Sequence, residues 1–143
     1  MATTTFSGPV RAGTVREGTG ANVGGVVLTQ TDTFTYTDTG AFATSIILPA
    51  NTQIIDQMVD VTTVWDSGTS DALEIGTSAD PDAYGDVANL QAAGRTLVDP
   101  DNVQGAAIDD IGTSDVTVYL KITSAGSAVS QGEARITVTY RQV

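Results

Sequence analysis

The side chains that could do chemistry in this sequence are almost all carboxylates. Seventeen Asp and Glu stand against six Lys and Arg in 143 residues, with no His and no Cys. The two zeros exclude a Ser-His-Asp triad, a Cys nucleophile, a thiolate metal site and any disulfide framework. What remains open to carboxylates is hard-cation binding or paired acid/base work. The run Asp80-Pro81-Asp82-Ala83-Tyr84-Gly85-Asp86 resembles the first half of a calcium loop, in which alternate carboxylates converge on a cation through oxygen. Tyr84 sits in the third ligand position, however, and Gln91 stands where such a loop ends in a bidentate Glu. Asp99-Pro100-Asp101-Asn102 adds acids nearby, but solvated acidic turns explain both runs better, and no metal or other cofactor is expected. Glycoside hydrolysis needs one acid whose pKa is raised in an apolar cleft. No pair stands out for it; Asp56 and Asp60 share one side of an expected strand, the usual mark of a wet face.

Other sites fare no better. Gly18-Thr19-Gly20 opens like a dinucleotide fingerprint, but Gly24 and Gly25 have the wrong spacing and the strand-like Val26-Val27-Leu28 follows where a helix N-terminus is required. Trp65, Tyr84, Tyr36 and Tyr119 could form a sugar-stacking platform, yet Trp65 ends an apolar stripe and reads as core. A net charge of −11 argues against nucleic acid and against an anionic membrane surface as partners. The N-terminus has no apolar h-region and the longest apolar runs are too short to span a bilayer, so synthesis and folding in a reducing cytoplasm are expected.

The elements that would position any site are strands. Residues 1–22 carry four glycines, little periodicity and a net charge of +1 from Arg11, Arg16 and Glu17. They read as an extended arm that could reach about 70 Å. Residues 23–143 hold the other 4 basic and 16 acidic side chains and form one domain, whose radius of gyration should be about 14 Å. Thr, Val and Ile dominate this body, which suits a pleated surface. Strands are expected at Val26–Thr31, Thr33–Thr37, Phe42–Leu48, Ile54–Trp65 and Ala72–Thr77, with Ile55, Val59, Val61 and Trp65 inward and a bulge where Gln57 and Thr63 interrupt that face. Val116, Val118, Leu120 and Ile122 share one face of a further strand, as do Ala134, Ile136, Val138 and Tyr140. The small-residue loop Ser124–Gly132 makes those two a β-hairpin. Gly-Thr-Ser-Asp, at 68–71 and 112–115, reads as turn chemistry twice over. One short helix is expected, capped by Asp86, burying Val87, Leu90 and Ala93 and stopped by Gly94. The sum is an all-β antiparallel sandwich.

The opening S-G-P-V-R-A-G-T-V-R-E-G-T-G-A-N-V-G-G-V-V-L-T-Q, Ser7 to Gln30, resembles the start of small head decoration (cement) proteins of tailed bacteriophages of aquatic bacteria. The stretch I-G-T-S-A-D-P-D-A-Y, Ile75 to Tyr84, is similar in style, and together the two cover roughly a quarter of the chain. The resemblance implies a jelly-roll-like sandwich on the outer surface of the virion, non-enzymatic, bridging neighbouring capsomers. Its partners would be the major capsid protein and further copies of itself, a homotrimer first and a homodimer second. The arm would contact the capsid or a neighbour through Phe6, Pro9, Val10, Arg11, Val15, Arg16 and Asn22. The strand face with Arg135, Thr137, Thr139 and Arg141 is a candidate interface because only its two arginines are charged; a solvated sheet face is the competing account. A carbohydrate-binding or host-attachment module, which would expose Trp65 or Tyr84, and a tail or neck structural protein are the alternatives.

Overall fold

β-branched and aromatic residues alternate with polar ones along most of the body, and each such run forms a strand with one apolar face. The computed structural model describes residues 27–87, 89–98 and 108–142. Among the described residues eight strands follow in order: β1 Leu28–Thr35, β2 Gly40–Leu48, β3 Thr52–Thr63, β4 Gly68–Gly76, β5 Gly85–Val87, β6 Gly94–Leu97, β7 Val116–Gly126 and β8 Glu133–Gln142. They make two four-stranded antiparallel sheets, ordered β1-β8-β3-β6 and β2-β7-β4-β5. The pairing is nested: first strand with last, second with seventh, third with sixth and fourth with fifth. Such a ladder, wrapped around an apolar filling, is a jelly roll. The expected sandwich is therefore present, with jelly-roll strand order.

The core lies between the sheets. Phe34, Ile46, Leu48, Val59, Val61, Leu73, Ile75, Val118, Leu120, Ile136 and Val138 all point into it and are buried. At one end Phe34 stacks obliquely on Phe42 and on Trp65, with ring centroids 6.3 and 5.7 Å apart, a spacing at which aromatic pairs attract beyond their buried area.

Four expectations need correction. β7 and β8 are no hairpin: they belong to opposite sheets and face each other across the core. Each has a single apolar face, and two such faces are buried more completely by stacking than by lying side by side. The expected helix is absent. Gly85–Val87 is a strand paired with β4, Leu90 lies in a turn, Ala93 is exposed, and Gly94 begins β6. This segment must pass from one sheet to the other at their shared edge. Its backbone groups are claimed there: Leu90 donates its amide to Asp71 O, and its carbonyl accepts from Trp65 N. Gly68–Asp71 is no turn but the start of β4, with an irregular register between Gly68 and Ser70, while the second Gly-Thr-Ser-Asp does lie between elements. Ile55 faces outward and is 49% exposed, with Ile54 buried in its place. The register of β3 against β8 is irregular in two places, at Thr63 as expected and between Ile54 and Asp56, and the latter shift reverses the facing of the residues before it.

Candidate functional site: outer sheet face and sandwich end

The outer face of the first sheet is built by register. β1 contributes Thr29, Thr31, Thr33 and Thr35, which lie directly opposite Thr139, Thr137, Arg135 and Glu133 of β8. On the other side of β8, Gln53, Asp56, Met58 and Asp60 of β3 face Arg141, Thr139, Thr137 and Arg135. All four residues of the candidate interface thus share one face, flanked by a row of threonines. The two arginines are not free. Arg135 Nη2 donates to Asp60 Oδ2 at 3.0 Å and Arg141 Nε donates to Gln53 Oε1 at 2.7 Å. Thr31 and Thr137 hydroxyls lie 3.4 Å apart. The face is therefore a hydroxyl-rich surface on which Arg135 is paired with a carboxylate and Arg141 with a neutral amide. The arm residues Phe6, Pro9, Val10, Arg11, Val15, Arg16 and Asn22 lie outside the described residues.

Sequence reasoning missed what closes the edge where β1 and β2 meet. Both are edge strands, one in each sheet. β2 leaves its ladder with β7 between Ala43 and Ile47, which frees backbone groups that would tempt another chain. Inward-pointing polar side chains of β1 take them up instead. Ile47 donates its amide to Gln30 Oε1 at 3.0 Å, Gln30 Nε2 donates to Ile47 O at 2.6 Å, and Ser45 donates its amide to Asp32 Oδ2 at 2.6 Å. Thr44 Oγ1 donates to Val118 O on β7. Gln30 and Asp32, inward polar residues in an otherwise clean alternation, were the signal.

At the opposite end of β1 the sheets part around a cavity of about 260 Å³, lined by Tyr36, Asp38, Thr39, Trp65, Ile122, Ser124 and Val129. Its wall is held rigidly. Asp38 Oδ2 accepts from the Thr35 amide at 2.9 Å, fixing the β1–β2 turn. The Ser127–Gly132 connection is tied by Asp66, which accepts from Ser130 N at 2.8 Å and Ser130 Oγ at 2.6 Å. Those bonds, first the Ser130 hydroxyl and then its amide, hold the Asp66 carboxyl below its ordinary pKa. Trp65 packs on the backbone of Gly132, where a Cβ would come within 2.4 Å of the indole. Behind Ser124, Asp71 is fully buried and its Oδ2 accepts from Ser67 Oγ at 2.7 Å and Gln91 Nε2 at 2.9 Å. Burial pushes its pKa up, but hydrogen bonds from Ser124, Ser67 and Gln91 outweigh that and leave it lowered.

The acidic run 80–86 is a tight turn. Asp80 O accepts from the amides of Thr77 and Ala83. The Asp80 carboxyl is raised above its ordinary pKa, chiefly because its protonated form donates a hydrogen bond to Asp82. Asp86 lies on β5, paired with Glu74. Among the described residues no group of three acidic side chains is placed to hold a metal ion. Tyr84 is buried and its carbonyl accepts from Gln57 Nε2 at 2.7 Å. Trp65, too, is only 2% exposed, so neither residue offers an open stacking platform.

No protein-family model matches the sequence, and no curated protein matches it. The fold is similar to a chain in the cyanophage Pam1 capsid asymmetric unit, with a TM-score of 0.65 at 15% identity, over 96% of this chain and 100% of that one. It is also similar to a chain in the acidic stable capsid structure of Helicobacter pylori bacteriophage KHP30, with a TM-score of 0.60 at 14% identity, over 81% of this chain and 87% of that one. At these identities the likeness is one of fold.

Proposed function

We propose that this chain is a non-enzymatic capsid decoration protein of a tailed bacteriophage, bound to the outer surface of the mature head. The observation that carries the reading is the whole-length fold likeness to a chain of the cyanophage Pam1 capsid asymmetric unit. That chain is matched from end to end, so a jelly roll of this size is a component of a phage capsid. The protein is made in the host cytoplasm and bridges neighbouring capsomers as a homotrimer, a homodimer being the second choice. The arm, residues 1–22, adds to a neighbour or to the major capsid protein, and the threonine-flanked face around Thr137 and Thr139 lies against a partner. Repeated copies on a lattice need little affinity each, because bridging contacts act together. A net charge of −11 keeps the protein off the packaged DNA.

Capsids stripped of surface proteins test the bridging. Adding the full chain back should raise the temperature at which they release DNA, and a chain lacking residues 1–22 should fold normally yet fail to bind. Binding without any gain in capsid stability would overturn bridging, and undiminished binding of the truncated chain would overturn the role of the arm.

A further inference from the structure

The two outer faces of the sandwich differ in charge. Arg95, Arg135 and Arg141 are the only arginines beyond residue 22, and all three belong to strands of the β1-β8-β3-β6 sheet. Register sets Arg95 and Arg135 on either side of Asp60, and Arg141 beside Gln53. Their strand neighbours Val59, Val61, Ile136 and Tyr140 are buried, so the arginines lie on the outer face. Arg135 is paired with Asp60, whereas Arg141 is bonded to the neutral Gln53. The outer face of the β2-β7-β4-β5 sheet is acidic. Glu74 lies between Asp86 on one side and Lys121 on the other, and Lys121 is the only cation of that face among the described residues. Its Nζ is already taken by Glu74 at 2.7 Å. Two residues along β4, Gly76 has no room for a Cβ against the backbone of Asp80, Pro81 and Ala83. The 77–84 turn therefore covers this part of the face and brings Asp80 and Asp82 to it.

One chain thus carries both halves of a complementary pair, which a second copy can join. Two acidic faces repel each other, and two arginine faces, each nearly neutral, gain no net attraction. The arginine face set on the acidic one has attraction across it, which steers copies together and rejects the wrong pairing. Both faces also have exposed apolar surface to cover, Ile55 on the first sheet and Ile47 on the second. We propose that copies of this chain associate through unlike faces: the arginine face of one lies on the acidic face of the next, with Arg141 and Arg95 set against Asp86 and the 77–84 turn. The inference rests on the homo-oligomer of the proposed function, names its contact, and leaves residues 1–22 for the capsid. A contact between two different patches closes into a ring or runs on as a filament, and does not give a two-fold dimer, which favours the trimer. Four strands at about 4.8 Å spacing and roughly seven residues long present roughly 450 Å². The contact then buries roughly 900 Å² in total, the size of a weak interface.

Sedimentation velocity of the full chain, from about 10 μM to about 1 mM at low salt, reads this contact without any capsid. Its failure is therefore separate from a failure of the capsid assay. Association beyond a dimer is expected, weakening about ten-fold when salt rises to about 0.5 M, because the attraction is between exposed charges. Arg141→Glu and Asp86→Arg, both at exposed positions, should each weaken association about ten-fold, with urea midpoints close to that of the parent chain. An equimolar mixture of the two variants should recover association, because each keeps the face that the other has lost. Lack of association at the highest concentration, a response to Arg141→Glu alone, or a mixture no better than either variant by itself would overturn the proposal.

Discussion

Asp71 is a carboxylate with no access to solvent, held by Ser67 and Gln91 across the β3–β4 and β5–β6 connections. Its pKa is lowered in the fold, so its stabilising contribution is complete above the unfolded carboxylate value of about 4 and is lost as pH falls through the lower folded value. Replacing it by Ala should cost about 1–3 kcal/mol at neutral pH, because Ser67 and Gln91 are then left with unpaired donors. Urea unfolding of both proteins from pH 7 to pH 2 checks this: the gap should be constant at first and narrow below about pH 4. Asp80 has the opposite sign. A carboxyl-specific NMR titration should place the Asp80 midpoint above the ordinary carboxylate value, and Asp82→Asn should bring it down. Gly132 tests packing instead. A Cβ there would meet the Trp65 ring within 2.4 Å, so Gly132→Ala should cost about 1–3 kcal/mol as an overpacked site and alter the near-ultraviolet circular dichroism of the lone indole.

Strand faces were legible in the sequence because a half-buried strand must alternate. Val118, Leu120, Ile136, Val138 and Tyr140 are all buried, as that period requires. The partner of each strand was not legible. Val116–Ile122 and Ala134–Tyr140 look identical as hairpin arms or as strands facing each other across a core, since both place one apolar face inward. Local turn residues could not decide it, because Ser127–Gly132 serves equally as a tight return or as a crossing. Helical spacing at Val87 and Leu90 was correct about burial and wrong about conformation: two inward residues at that spacing also fit a strand followed by a turn. For the site, alternation placed Arg135, Thr137, Thr139 and Arg141 together but could not show Asp60 and Gln53 beside the arginines, since those lie on a strand more than 70 residues away. Gln30 and Asp32 stand at the element scale as well. Gln30→Ala should cost about 0.5–1.5 kcal/mol and speed hydrogen exchange at Ile47 far more than at Leu120, because it opens the edge and not the core.

Nested pairing has consequences for the whole chain. Leu28 must find Tyr140 before the outermost ladder can form, and contacts so distant in sequence make folding slow, in the millisecond-to-second range for all-β domains of this kind. The resulting body has short strands at one edge and side-chain-bridged strands at the other, so capsid attachment does not require an open edge of the folded domain. In the proposed function, recognition is assigned to the arm and to the threonine-flanked sheet face. Thr137→Lys would place an unmatched charge in the middle of that face and should lower capsid occupancy several-fold without lowering the midpoint of urea unfolding, as a gradient assay beside a denaturation curve would show. The most direct test of the central claim is co-sedimentation of the purified full chain with stripped capsids of the phage that encodes it. Saturable binding in a fixed ratio to the major capsid protein is the predicted result. No binding by a protein shown to be folded would contradict the account.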